Sequence, residues 1–274
     1  MRGFKEEDFK LFINYVKQYR GLDLDSYNPR FIIHRLNLRM NATHTKSCQE
    51  YINFIRERPE EFNLFLDTLS INVSKFFRDP EVFDTFKKIA LKELINRKIS
   101  LHQHIIRIWS CGCSCGEEAY SLAILMDEEF QKYSNKFFAK IWATDIDTQA
   151  LEKAEIGEYE LSSLKEMDSE RLKKYFISVK PGIYQIIDRI KKMVKFVKHD
   201  IISDPPLKYM DIIFCRNLLI YLTRKQHELL FEVFNRALNS RGYLVIGKVE
   251  SLLGYTEGKW QVIDIRQRIY QKIN

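Results

Sequence analysis

Apolar and polar positions follow two different rhythms along this chain, and the change comes near residue 80. Before it, FKLFINYVKQY (9–19), RFIIHRLNLRM (30–40) and SCQEYINFIRERPEEFNLFLDTLS (47–70) place apolar side chains three and four residues apart. That is the period of an amphipathic helix, and Pro29 suits a first helical turn. Residues 1–80 therefore predict an all-helical domain with its linker. Beyond it, VFDTFKKIALKELINR predicts one more helix, and then short apolar runs alternate with helical stretches. The predicted strands are Ile105 to Ser110, Lys140 to Thr144, Val194 to Lys198, Asp211 to Cys215 and Tyr243 to Gly247, with one or two more in WQVIDIRQRIYQKI. The predicted helices are 117–130, 148–155 and 225–238. Such alternation over 81–274 means an α/β fold whose mainly parallel sheet is covered on both faces. Residues 157–193 break the rhythm, and the apolar runs around Lys180-Pro181-Gly182 predict a small inserted β hairpin.

Composition changes this picture little. At 274 residues and 45% hydrophobic, the chain can bury one large core, or a medium one and a small one. No apolar run approaches the roughly 20 residues that cross a bilayer. The opening MRGFKEEDFKLF is charged and amphipathic, without a secretory apolar region. The expectation is a cytoplasmic protein without membrane insertion. Five cysteines, an odd number, agree with a reducing compartment. Cys111, Cys113 and Cys115 alternate, but no histidine stands near them at zinc-ligand spacing, so no metal is expected. A net charge of +7 favours acidic partners without choosing among nucleic acid, membrane surface and acidic protein.

The candidate chemistry lies in three stretches. In RIWSCGCSCGEEAYS (107–121) an apolar run stops at a loop of small residues that passes into a helix opening on Glu117 and Glu118. A second run, AKIWATDID, then ends on Asp145 and Asp147. Strand, small-residue turn, helix, strand and acid form the layout of a nucleoside-binding βαβ unit. Acids at the helix start oppose a pyrophosphate there, because like charges would meet. A cationic nucleoside such as S-adenosylmethionine fits better. In YMDIIFCRNLLIYL (209–222) a strand runs into Arg216, Asn217 and Tyr221, which the parallel-sheet rule directs to the same crevice. SINVSKFFRDP (70–80) carries Asn72, Ser74 and Arg78 at the join of the two regions. SDPPL (203–207) is similar to the Asp-Pro-Pro-aromatic motif of adenine amino-methyltransferases. It precedes its strand and has Leu207 at the aromatic position, so it is read as a linker, and nucleic acid is not expected as substrate.

Together these stretches resemble the CheR family of chemotaxis receptor methyltransferases. INVSKFFR, RIWSCGCSCGEEAYSLA, ATDIDTQALEKA with GEY, FCRNLLIYL and GYLVIGKVESL fall in that family's order, over nearly the whole chain. The resemblance implies a class I S-adenosylmethionine-dependent methyltransferase sheet, Rossmann-like, with a small β insertion and an N-terminal all-helical domain. It implies methyl transfer to glutamate side chains of cytoplasmic chemoreceptor helices, giving γ-glutamyl methyl esters and S-adenosylhomocysteine. It implies cofactor contacts at Asn72, Ser74, Arg78, Glu117, Glu118, Asp145, Asp200, Ile201, Arg216 and Asn217, with Arg78 and Tyr221 near the transferred methyl. Arg30, Arg35 and Arg39, four or five residues apart on one helix, then become a basic face for glutamate-rich receptor helices. Some members also dock a receptor tail peptide on the β insertion. The turn ISVKPG is shorter here, and tail tethering is not expected. The chain departs from the family in its loop cysteines, in Ala119 for proline, Ser74 for threonine, Asp200 for asparagine, and Lys248-Val249 for His-Ser. A competing reading keeps the fold as a non-catalytic cofactor-sensing module.

Overall fold

A computed structural model describes residues 6–20, 24–69, 74–134, 136–252 and 258–273. The chain divides into two compact units, Met1–Ile71 with Ile220–His227, and Asn72–Leu219 with Glu228–Asn274. Among the described residues no helix is long and apolar enough to cross a membrane.

The first unit holds α1 (Glu6–Arg20), α2 (Pro29–Ala42), α3 (Cys48–Glu57) and α4 (Glu60–Leu69). Local chemistry starts two of them. The Asn28 side chain accepts from Arg30 N–H ahead of Pro29, and Ser47 accepts from Glu50 N–H. The apolar stripes pack Phe12, Tyr51 and Phe65 into a common core with Ile32 and Leu36. Residues 220–227 join this unit through the chain, not through a helix stripe. Tyr27 and Leu222 form an antiparallel bridge, and Asn28 N–H donates to Tyr221 O at 2.8 Å.

The second unit opens with α5 (Pro80–Phe86) and α6 (Lys92–Ser100), joined by a π-helical turn over Lys87–Leu91. Then come β1 (Ile105–Cys111), α7 (Glu117–Gln131), β2 (Phe138–Asp145), α8 (Thr148–Ile156), β3 (Glu158–Glu160), α9 (Ser169–Tyr175), β4 (Phe176–Lys180), β5 (Ile183–Ile186) and α10 (Asp188–Lys191). The unit ends with β6 (Val194–Lys198), β7 (Met210–Cys215), α11 (Arg224–Ala237, from Glu228 on), β8 (Leu238–Ile246), β9 (Trp260–Asp264) and β10 (Ile269–Lys272). The main sheet has the order β6-β2-β1-β7-β8-β10-β9, with every strand running the same way except β10, which pairs antiparallel with β8 and β9. β1 and β7, in the middle, are buried along nearly their whole length, as a sheet covered on both faces requires. The expected hairpin is present as β4 and β5, and β3 adds a third strand in the order β3-β5-β4. Three residues of β3 carry too little alternation to be seen in the sequence.

At the amino end of the sheet, Asp211 is 2% exposed and satisfies three donors. It accepts from Arg107 N–H at 2.9 Å, from the Asn239 amide at 2.8 Å and from Lys98 Nζ at 2.8 Å. Lys98 is itself buried, so losing Asp211 strands a charge. Asp211→Ala is expected to destabilise the fold by roughly 3–5 kcal/mol in urea unfolding, with much of the loss recovered by Lys98→Met in the same chain.

Candidate functional site

Strand order reverses between β1 and β7: the chain leaves β1 toward β2 on one side and returns at β7 on the other. Ligands of open α/β sheets bind beyond the carboxyl ends of the strands at such a point. The loop after β1 and the turn after β7 meet there.

The β1 loop is held by β2. Gly112 and Cys113 N–H both donate to Thr144 O, and Ser114 N–H donates to Asp145 Oδ2 at 2.7 Å. Asp145 Oδ1 accepts from Asp147 N–H at 3.0 Å, and Asp147 caps α8 through Gln149 and Ala150 N–H. Gly116 enters α7 at φ 91°, and a Cβ there would stand 2.9 Å from Ala154 Cβ and 3.0 Å from the Phe196 ring. Only glycine gives both the left-handed backbone and the close packing. Tyr159 of β3 donates its hydroxyl to Cys115 O at 2.7 Å, which ties the β insertion to this loop. The five cysteines are free thiols. Burial pushes the Cys111 and Cys113 thiols up, so they behave as compact packing residues.

Acids dominate the crevice. Glu118 accepts from the Ser110 hydroxyl at 2.8 Å and lies 3.8 Å from Arg216 Nη1. Burial raises its carboxyl, against the pull of Arg216 and, more weakly, Arg78. Burial also raises the Asp145 carboxyl, against the N–H groups of Asp147 and Ser114. Glu117 is 4% exposed, its Oε2 is buried without a hydrogen-bond partner, and burial pushes its carboxyl up to about 7. Carboxylates whose charged form burial disfavours suit a cationic group.

Arg216 is the anchor of the β7 turn. Its side chain is 2% exposed, pairs with Asp79, donates to Arg78 O at 2.9 Å and lies over the Phe83 ring. It thus clamps the 78–79 backbone onto the sheet and brings Arg78 to the acids. Ser74 lies just ahead of that segment, half-buried; Asn72 lies outside the described residues. Four left-handed non-glycine residues gather here, Phe77, Asp79, Ser114 and Asn217. Such strain persists where the surroundings over-determine it.

Two expected contacts are otherwise engaged. Asp200 accepts from Ile202 N–H and the Ser203 hydroxyl, and its N–H donates to Asp204 Oδ2. Its carboxylate closes a turn that also takes up SDPP, and Ile201 sits half-buried on that turn. Arg39 is not the free cation its spacing suggests. It forms a bidentate pair with buried Glu61 at 2.7 and 2.8 Å, and Tyr51 donates to the same carboxylate. Arg30 is exposed, while Arg35 lies over the Phe31 ring. Tyr221, expected beside Arg216 and Asn217, packs within the helical unit, its ring 4.8 Å from Phe31. Sequence reasoning missed Asp79, Tyr159 and Glu250. The GEY triplet held a signal for Tyr159; nothing local marks the other two.

Comparison with known proteins gives a consistent result. The family model described as "CheR methyltransferase, SAM binding domain" matches residues 72–269, and "CheR methyltransferase, all-alpha domain" matches 7–70. A protein of Listeria innocua named "Chemotaxis protein methyltransferase" is 32% identical over 248 residues, 90% of this chain and 91% of its own. One of the same name from Borreliella burgdorferi is 31% identical over 253 residues, 91% of this chain and 89% of its own. "Chemotaxis protein methyltransferase 2" of Vibrio cholerae is 32% identical over 252 residues, 90% of this chain and 86% of its own.

The Glu117 environment sets a pH test. The ordinary glutamate pKa is about 4.3, so the folded protein holds its proton to higher pH than the unfolded chain. Stability contributed this way is complete below about 4.3 and is lost as pH rises through about 7. Glu117→Gln is expected to flatten the fall in melting temperature between pH 5 and pH 8. In the parent, S-adenosylmethionine binding should strengthen as pH rises through 7 and release a proton; in the variant, calorimetry in two buffers should show neither. Identical pH profiles in both proteins would remove Glu117 from the site.

Proposed function

The chain belongs to the CheR methyltransferase family, and we infer that it methylates glutamate side chains of chemoreceptors at the crevice between the ends of β1 and β7. The observation that carries this is the set of acids, buried Glu117 with half-buried Glu118 and Asp145, gathered at the point of strand reversal. Glu117 or Glu118 would hold the cofactor's ammonium and Asp145 its ribose hydroxyls, with Asn217 and the 74–78 segment completing the pocket. When bound, S-adenosylmethionine would supply a sulfonium methyl, which passes to a carboxylate oxygen as its bond to sulfur breaks, leaving S-adenosylhomocysteine.

The protein's part is positional. A glutamate of pKa about 4.3 is already ionised near neutrality and asks for no general base. His199, after β6, accordingly has another task, its Nε2 meeting Pro205 O at 3.1 Å. Orientation and loss of water around a nucleophile can lower a barrier by roughly 7–11 kcal/mol. Arg78 would orient the incoming carboxylate, and it cannot accept a proton. Tyr221 is proposed as a wall and hydroxyl contact near the methyl on the family resemblance alone. Arg30 and Arg35 remain the candidate cations of the helical unit for acidic receptor helices. We place the reaction in the cytoplasm, where such receptor domains lie.

Methyl-labelled S-adenosylmethionine with receptor membranes, followed by mild base, tests the function. The expected result is base-labile label on the receptor. Base-stable label would mean an amine product, and no label would mean a non-catalytic module. Tyr221→Phe should lower turnover more than cofactor affinity, and unchanged turnover would remove the hydroxyl from the reaction.

Tail tethering is proposed to be absent, because β4 and β5 are joined by Pro181 and Gly182 alone. A pull-down with receptor tail peptides should retain nothing; specific retention would reverse this.

A further inference from the structure

The turn after β8 carries a buried carboxylate to which the methyl-transfer scheme assigns no task. Glu250 is 4% exposed. Its Oε2 accepts from Gly247 N–H at 2.6 Å and from Asn217 N–H at 3.2 Å. The first bond is local, as in many turns. The second spans 33 residues and reaches the turn after β7. The same oxygen therefore joins the carboxyl ends of two neighbouring parallel strands.

Two further observations make this junction specific. Asn217 has φ 60°, a left-handed conformation that a non-glycine residue keeps only when its surroundings hold it. A Cβ on Gly247 would stand 2.7 Å from Glu250 Oε2 and 3.0 Å from Asn217 N. Glycine at 247 thus opens the space in which the carboxylate reaches the Asn217 backbone. Gly247 gives the space and Glu250 the acceptor that together hold the Asn217 backbone.

We propose that Glu250 is a positioning residue for methyl transfer: it holds Asn217 in the left-handed turn from which Asn217 meets the cofactor. This rests on the assignment of Asn217 to the cofactor site. A rival role is electrostatic, because Glu250 adds negative charge beside Glu118 and could attract a cation without placing anything.

Two conservative variants separate the roles. Glu250→Gln keeps an acceptor oxygen where Oε2 stands and removes the charge. Glu250→Asp keeps the charge and withdraws the oxygen by one methylene. Calorimetry on the full chain measures affinity for S-adenosylmethionine, a sulfonium cation, and for S-adenosylhomocysteine, a neutral thioether. Melting temperatures without ligand report folding. Positioning predicts that Glu250→Gln stays within about threefold of the parent for both ligands, while Glu250→Asp loses about tenfold for both, the size of one lost hydrogen bond to a charged group. It also predicts that Glu250→Asp raises KM for S-adenosylmethionine and leaves kcat at saturation within about threefold. Gly247→Ala, which pushes the carboxylate away, should repeat the Glu250→Asp pattern and serves if that variant does not fold. The proposal is overturned if Glu250→Gln weakens only the cationic ligand, if Glu250→Gln falls as far as Glu250→Asp, or if Glu250→Asp matches the parent. A parent protein that binds neither ligand would refute the cofactor site itself, a result distinct from all of these.

Discussion

Negative charge buried at the carboxyl ends of parallel strands is the constraint around which the second unit is organised. Glu117 is buried there and Glu118 and Asp145 half-buried, and burial raises all three carboxyls. Each is moderated differently. The N–H groups of Ser114 and Asp147 support Asp145, Ser110 and Arg216 support Glu118, and Glu117 Oε2 has no hydrogen-bond partner. A site that holds carboxylates under-compensated loses stability as a folded chain and gains affinity for a cation. The same trade explains why so much of the neighbourhood is tightly bonded: loops carrying this charge have to be held from outside.

Arg216 is the clearest of those holds. Its guanidinium reaches Asp79, the Arg78 carbonyl and Glu118 from a nearly inaccessible position. It neutralises part of the crevice and clamps the segment that presents Arg78. Lys248, which departs from the family pattern, extends this network: its Nζ lies 3.2 Å from Glu81 and 3.9 Å from Asp79. It draws the Glu81 carboxyl below its ordinary range and braces the start of α5. The substitution is accommodated because acids of the same unit already stand there.

Most of this unit could be read in the chain. RIWSCGC and AKIWATD show their strands as apolar runs, and the acids at their ends follow from the parallel-sheet rule. The helical unit was equally legible from its apolar stripes. What could not be read are partners distant in sequence. Glu61 takes Arg39 out of the basic face by a bond across 22 residues, and Glu250 reaches Asn217 across 33. Residues 220–227 run on directly from the sheet yet pack with the first unit, which hydrophobic period does not encode. Asp200 offered a carboxylate to the crevice by position, but Ile202 and Ser203 lie close enough in the chain to capture it.

Reception of the cofactor's charged end by Glu117, Glu118 and Asp145 is open to direct test. A crystal structure of the protein with S-adenosylhomocysteine addresses it directly. The predicted result places the ligand's ammonium within hydrogen-bond distance of Glu117 or Glu118 and its ribose hydroxyls on Asp145. A ligand bound with its ammonium turned to solvent, or seated away from the ends of β1 and β7, would contradict it.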